Sequence, residues 1–191
     1  MKPIFSEEIS QEPPSTFIND FQAWTTINDS IMGGNSFAKC TTHKNGLELD
    51  GYLVEEGGGF VSCSSPLFSP PLDLSSSYGL HVSVDGEGRT LKMALYSDAL
   101  KFPLKEFLYE GLHWVVEIPT NSLGTTNIKL PFSKFKPTMR AKKIPLPLPM
   151  NLKAITQIQL LHSKFGCPGE LNSGFRSGHI KILLRSINGF N

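Results

Sequence analysis

The residues with the most chemical potential lie in one run near the start of the chain: Trp24-Thr25-Thr26-Ile27-Asn28-Asp29-Ser30-Ile31-Met32-Gly33-Gly34-Asn35-Ser36. Asn28, Asp29 and Ser36 carry side-chain oxygens that either hold a ligand or partner, or bond the local backbone in a turn. Gly33-Gly34 supplies positive φ or room for close backbone approach. Trp24 and Met32 are expected to pin the loop to a core. Two arginines, Arg89 and Arg140, can grip a carboxylate or phosphate bidentately, or pair within the fold with Asp29 or Asp85. Asp85 and Glu87 place oxygens in a Gly-rich turn, but two carboxylates do not specify a calcium site. The five histidines, His43, His81, His113, His162 and His179, fall in no HExxH spacing. There is no GxSxG elbow, and Gly86-Glu87-Gly88 lacks the third glycine of a dinucleotide loop. The residues therefore call for no catalytic group, no metal and no cofactor.

A second candidate is electrostatic. The net charge is only +1, yet no Asp or Glu occurs between Ile118 and Gly169. Within that span Lys129, Lys134, Lys136, Arg140, Lys142 and Lys143 interleave with Phe132, Phe135 and Met139. Such a tract suits RNA or an anionic membrane surface, or is a solvated face balancing the acidic first half.

The elements that must position these residues read as strands. The chain has 191 residues, 39% of them hydrophobic, with 17 Gly and 14 Pro scattered between short apolar runs. That pattern suits one turn-rich all-β domain. Leu47, Leu49 and Leu53 alternate with polar neighbours. So do Leu80, Val82 and Val84, then Leu91, Met93 and Leu95, and finally Ile180, Ile182 and Leu184. Further strands are expected at Phe60–Cys63, within Phe107–Ile118, at Asn127–Phe132, Ile155–Leu161 and His179–Ile187. Asp85-Gly86-Glu87-Gly88-Arg89 reads as a hairpin turn. Pro145, Pro147 and Pro149 confine Ile144–Pro149 to an extended edge or surface segment. Residues 1–20 read as a loosely ordered leader and 21–191 as a single β-sandwich domain of jelly-roll type. No apolar run is long enough to span a bilayer. Cys40, Cys63 and Cys167 are odd in number and widely spaced, which favours reduced thiols in a cytosol-like compartment.

The run Trp24-x-x-x-Asn28-Asp29-x-x-Met32-Gly33-Gly34-x-Ser36 resembles the opening signature of the complex I intermediate-associated protein 30 family. The likeness continues through Gly58-Gly59-Phe60, Leu72-Asp73-Leu74 before Tyr78, and Gly86-Glu87-Gly88-Arg89, where the family usually has Gly-Asp-Gly-Arg. It ends in Leu130-Pro131-Phe132 with Phe135, Pro137 and Arg140, and Ala141 stands where the family has Gly. The resemblance implies a galactose-binding-like β-sandwich and a non-enzymatic assembly or accessory role. The clients would be protein subunits of a membrane-associated NADH dehydrogenase or photosynthetic complex. The protein would lie in the cytoplasm or an organelle matrix, with possible peripheral membrane association. Two rival readings remain: a carbohydrate-binding module, as the implied fold commonly binds sugars, and an RNA-associated factor, as some photosynthetic relatives act in translation. Candidate contact residues are Asn28, Asp29, Met32, Gly33, Gly34, Ser36, Arg89, Arg140, Lys134, Lys136 and Lys143.

Overall fold

The structure is a computed structural model and describes residues 18, 20–98, 111–139, 142–144, 148–166 and 170–191. In chain order the strands are β1 (Thr25–Asn28), β2 (Phe37–His43), β3 (Gly46–Leu53), β4 (Phe60–Ser64), β5 (Gly79–Asp85) and β6 (Thr90–Ser97). They continue as β7 (Leu112–Pro119), β8 (Thr126–Pro131), β9 (Lys136–Met139), β10 (Lys142–Lys143), β11 (Ile155–Ser163) and β12 (Gly178–Phe190). Two short 3-10 turns, Asp29–Met32 and Phe132–Lys134, are the only helical segments among the described residues.

The strands form two antiparallel sheets. One has seven strands in the order β1-β4-β11-β6-β7-β9-β10, the other five in the order β2-β3-β12-β5-β8. The long central strands alternate, so their apolar sets face the gap between the sheets. Leu47, Leu49, Leu53, Leu80, Val82, Val84, Ile180, Ile182 and Leu184 line the five-stranded side. Val61, Leu91, Met93, Leu95, Trp114, Val116, Ile118, Ile158 and Leu160 line the other. Each side chain buried this way contributes on the order of 1.5–3 kcal/mol. In β12 the register shifts between Leu184 and Ser186, and this bulge changes the phase so that Ile187 joins the same inward face.

The all-β jelly-roll expectation is met. The hairpin expected at Asp85–Arg89 is not. β5 belongs to the five-stranded sheet and β6 to the seven-stranded one, so this turn carries the chain across the core. Inward alternation in two successive strands is the same for a hairpin and for a crossover between facing sheets, so local pattern cannot separate them. The strands β1, β2, β9 and β10 are additional to those expected. All are short or lie toward the ends of their sheets, with weak alternation. Ile18 is buried and its N–H donates to the Ile187 carbonyl at 2.9 Å. Phe17, Cys167 and the stretches 99–110, 140–141 and 145–147 lie outside the described residues.

Candidate functional site

The signature run occupies the margin where the two sheets end. β1 closes one edge of the seven-stranded sheet, and β2 one edge of the five-stranded sheet. No ladder joins them, so exposed backbone groups must be satisfied by side chains. Asn28 Nδ2 donates to the Ala38 carbonyl at 3.1 Å, and the Cys40 N–H donates to Thr26 Oγ1 at 2.8 Å. Thr42 Oγ1 donates to the Phe21 carbonyl at 2.7 Å. Phe21 and Trp24 pack edge to face in the core at 5.6 Å.

Asp29 is the hub of the loop. It is fully buried, and its carboxylate accepts four hydrogen bonds. Oδ1 accepts the Ser36 N–H at 2.9 Å. Oδ2 accepts the Ser36 hydroxyl at 2.6 Å, the Gly59 N–H at 2.6 Å and the Phe60 N–H at 3.3 Å. The Ser36 hydroxyl oxygen also accepts the Val54 N–H at 2.9 Å. One carboxylate thus ties the 3-10 turn to the end of β3 and the start of β4. Burial pushes this carboxyl up, but the Ser36, Gly59 and Phe60 donors together hold it below its ordinary value. The turn at Glu55–Gly59 is fixed in its own right by the Lys164–Glu55 ion pair at 3.1 Å and by the Lys164 N–H donating to the Gly59 carbonyl at 2.8 Å.

The two glycines serve different needs. Gly33 caps the 3-10 turn in the left-handed region, φ 85°, with its N–H on the Ser30 carbonyl. Gly34 gives room: a Cβ there would lie 2.4 Å from Asp29 Cγ, and one at Gly58 would lie 2.4 Å from Oδ2. Asn28, Asp29, Gly33, Gly34 and Ser36 are therefore brought together as one structural cradle.

Met32 departs from expectation. It is 68% exposed, and Ile31 beside it is 71% exposed. Asp29 anchors the turn at its first position, while the side chains at its third and fourth positions lie in solvent. The cradle therefore holds two large apolar groups in solvent. Immediately after it, on the outer face of the five-stranded sheet, Phe37 and Tyr52 stack at 6.2 Å and are also exposed.

Arg89 is placed differently from both internal pairings considered. Arg89 is 5% exposed and bonds Glu87 Oε2 through Nη1 at 2.9 Å and the His179 carbonyl through Nη2 at 2.8 Å. Its partner is thus Glu87, not Asp29 or Asp85. Burial, with Arg176 nearby, lowers its pKa against the pull of Glu87. Asp85 instead holds Arg185, with Nη2 to Oδ2 at 2.6 Å. Arg140 lies outside the described residues. The basic tract does not form one face. Lys129 lies over the Phe190 ring at 5.0 Å on the five-stranded sheet, while Lys136 lies on β9 of the other sheet. Lys134 and Lys136 are exposed, Phe135 is core, and the Lys143 backbone pairs with Thr138.

Two features were not anticipated. On the outer face of the seven-stranded sheet, Tyr96 Oη donates to Gln159 Oε1 at 3.1 Å and Gln159 Nε2 donates to Ser62 Oγ at 2.9 Å. Ser62 Oγ in turn donates to the Ile27 carbonyl at 2.7 Å. Alternation of polar residues on β4, β6 and β11 was its only signal. The second is a disulfide between Cys40 and Cys63, Cα atoms 6.0 Å apart, which overturns the expectation of reduced thiols at these two positions. A separation of 23 residues gives no local signal, because the two strands meet only when the sheets face each other.

The family model described as Complex I intermediate-associated protein 30 matches residues 11–184. A comparison with curated proteins returns no match. Among solved structures, the Family 11 carbohydrate-binding module of the cellulosomal cellulase Lic26A-Cel5E of Clostridium thermocellum is similar at TM-score 0.61 and 17% identity. The match covers 93% of this chain and 95% of that one. The Clostridium thermocellum module in complex with a β-1,3-1,4-mixed-linked tetrasaccharide gives TM-score 0.60 and 17% identity, covering 92% of this chain and 95% of that chain. At this identity the likeness shows the galactose-binding-like sandwich fold and nothing of ligand.

Proposed function

The chain belongs to the Complex I intermediate-associated protein 30 family, and on that premise we propose that it is a non-enzymatic accessory factor in building a membrane-associated NADH dehydrogenase of the complex I type or a related photosynthetic complex. The observation that carries this reading is the rigid display of Ile31 and Met32. An assembly factor must hold an incomplete subunit through apolar contact and then let it go. Two exposed apolar side chains on a fixed turn provide adhesion with little ordering cost, and the flexible Met adapts to different partner surfaces. The patch is small beside the roughly 800 Å² per partner of a stable interface, which suits transient contact. Lys134 and Lys136 would add steering toward an acidic client or an anionic membrane. Among the described residues no helix is long and apolar enough to cross a membrane. A place in the cytoplasm or an organelle matrix, peripheral to the membrane where the client is built, suits this role.

The sugar-binding rival has weaker support. Trp24 and Trp114 are both core, with Trp114 Nε1 bonded to the Leu148 carbonyl at 3.0 Å. Cross-linked affinity capture in the source organism tests the proposal. The expected catch is subunits of an NADH dehydrogenase or photosynthetic complex in partial assemblies. The double variant Ile31→Ser with Met32→Ser should lose most of that catch with an unchanged melting point. Charge reversal at Lys134 and Lys136 should reduce it and weaken its salt dependence. Recovery of only polysaccharide or only RNA, or a catch indifferent to Ile31 and Met32, would overturn the reading.

A further inference from the structure

We propose that Cys40–Cys63 is a thiol–disulfide exchange site whose redox partner is a dithiol of the thioredoxin class, and that its reduction unlatches β2 beside the signature loop. The argument starts from β2 itself. Its inward-facing residues are Ala38, Cys40 and Thr42, all small, and no residue of the strand is fully buried. Core burial, which fixes every long strand of this sandwich, therefore does little to hold it. β2 has one ladder, to β3, and lies at the sheet edge. Across the gap it is held by Asn28 Nδ2 on the Ala38 carbonyl, by the Cys40 N–H on Thr26 Oγ1 and by the disulfide. Thr26 is in turn the register partner of Cys63 on β4. The covalent bond thus lies at the point where β1, β2 and β4 meet, and it is the strongest tie between the two sheet edges. Ser36, the residue before β2, belongs to the Asp29 cradle, so loosening the strand loosens the platform under Ile31 and Met32.

The chemistry is asymmetric. Cys40 is half-buried and Cys63 is 1% exposed. Attack by an incoming dithiol thiolate is directed to Cys40, the less buried of the two, and expels Cys63 as a thiolate, giving a mixed disulfide. The second thiol of the reductant then attacks its own bonded sulfur and expels Cys40. One dithiol is oxidised to a disulfide, the protein bond takes up two electrons, and two protons leave Cys40 and Cys63 as thiols.

The test uses the full chain with no client present, so its failure is separate from failure of the assembly-factor reading. Differential alkylation with peptide mapping, before and after dithiothreitol, reads the state of each cysteine, with Cys167 distinguished by its own peptide. Cys40 and Cys63 are expected to be protected together and released together. Reduction should lower the melting midpoint by about 7–14 °C for a closed loop of this length. It should also raise amide exchange more than tenfold within residues 25–28 and 36–43, while β6, β7 and β12 stay protected. Cys40→Ser with Cys63→Ser should reproduce the reduced pattern and no longer respond to dithiothreitol. Free thiols at both positions in the air-oxidised protein would overturn the proposal. So would exchange unchanged on reduction, or raised equally in every strand, the last marking a global staple rather than a latch.

Discussion

Replacing Asp29 by Asn changes one oxygen into an NH2 group and leaves the shape of the side chain almost intact. In the native loop Oδ2 serves three donors and Oδ1 a fourth. An amide has one acceptor oxygen, so whichever way it turns, its own N–H hydrogens face either the Ser36 N–H or those of Gly59 and Phe60. At least one buried donor loses its partner, and the remaining bonds lose their charge assistance. Together these cost about 2–4 kcal/mol. For a domain of this size the melting midpoint at pH 7 should fall by about 4–16 °C. The acid dependence supplies a second check. The Asp29 carboxyl titrates below its ordinary value of 3.8 in the folded protein, because hydrogen bonding outweighs burial. Its stabilisation is therefore full above that value and is lost as pH falls through the lower folded value. Differential scanning calorimetry of both proteins from pH 7 downward should show a gap that is constant at neutral pH and closes in acid. Equal midpoints at pH 7, or a gap that persists unchanged well below pH 3.8, would refute the account of Asp29 as a charged structural hub.

The adjacent glycines should separate cleanly. Gly33→Asn should cost less than about 1 kcal/mol, since Asn tolerates the left-handed region and nothing lies within 4 Å of a Cβ there. Gly34→Asn drives a Cβ into Asp29 Cγ and should cost about 1–3 kcal/mol or more; a reversed order in urea denaturation would show the two roles misassigned. His162 is fully buried, and burial pushes its imidazole down to about 4 against the hydrogen bond to the Thr90 carbonyl. Its neutral form belongs to the fold, so stability should decline as pH drops from about 6.5 to about 4, by up to about 3 kcal/mol. In His162→Phe that decline should be absent; a slope identical to wild type would place its origin elsewhere.

Much of the architecture was legible because long central strands alternate strictly. The inward sets of β3, β5, β6 and β12 could be read residue by residue, and with them the jelly-roll class. Topology was not legible. The Asp85–Arg89 turn has the composition of a hairpin and the same inward phase on both sides. What makes it a crossover is long-range: β12 pairs with both β3 and β5, and β11 pairs with both β4 and β6, which sorts the flanking strands into different sheets. The edge strand β2 was missed for a related reason. Its inward residues are small and its outward ones include Phe37, so hydrophobicity along Phe-Ala-Lys-Cys-Thr-Thr-His points the wrong way.

The signature run shows why a polar motif is ambiguous when read from sequence. A sandwich whose edges β1 and β2 approach without a ladder leaves N–H and C=O groups that must be bonded by something. Thr26, Asn28, Asp29 and Ser36 do this, each with a partner within 3.3 Å, so their polarity reports a closure problem in the fold; of the run's buried polar side-chain atoms, Asn28 Oδ1 and Trp24 Nε1 are left without a partner. Met32 misleads in the opposite direction. A large flexible apolar residue beside two glycines suggests a plug, yet the turn that Asp29 anchors leaves residues 31 and 32 in solvent. The informative contrast is thus between residue classes within thirteen consecutive positions. Alanine at the polar positions should lower stability and abolish every activity together. Serine at Ile31 and Met32 should leave stability alone and remove only what depends on contact with another protein. Proteins that melt alike but differ in partner capture would separate the display from the frame that holds it. A loss of capture that tracked melting point across both classes would mean the loop has no role beyond closing the sandwich.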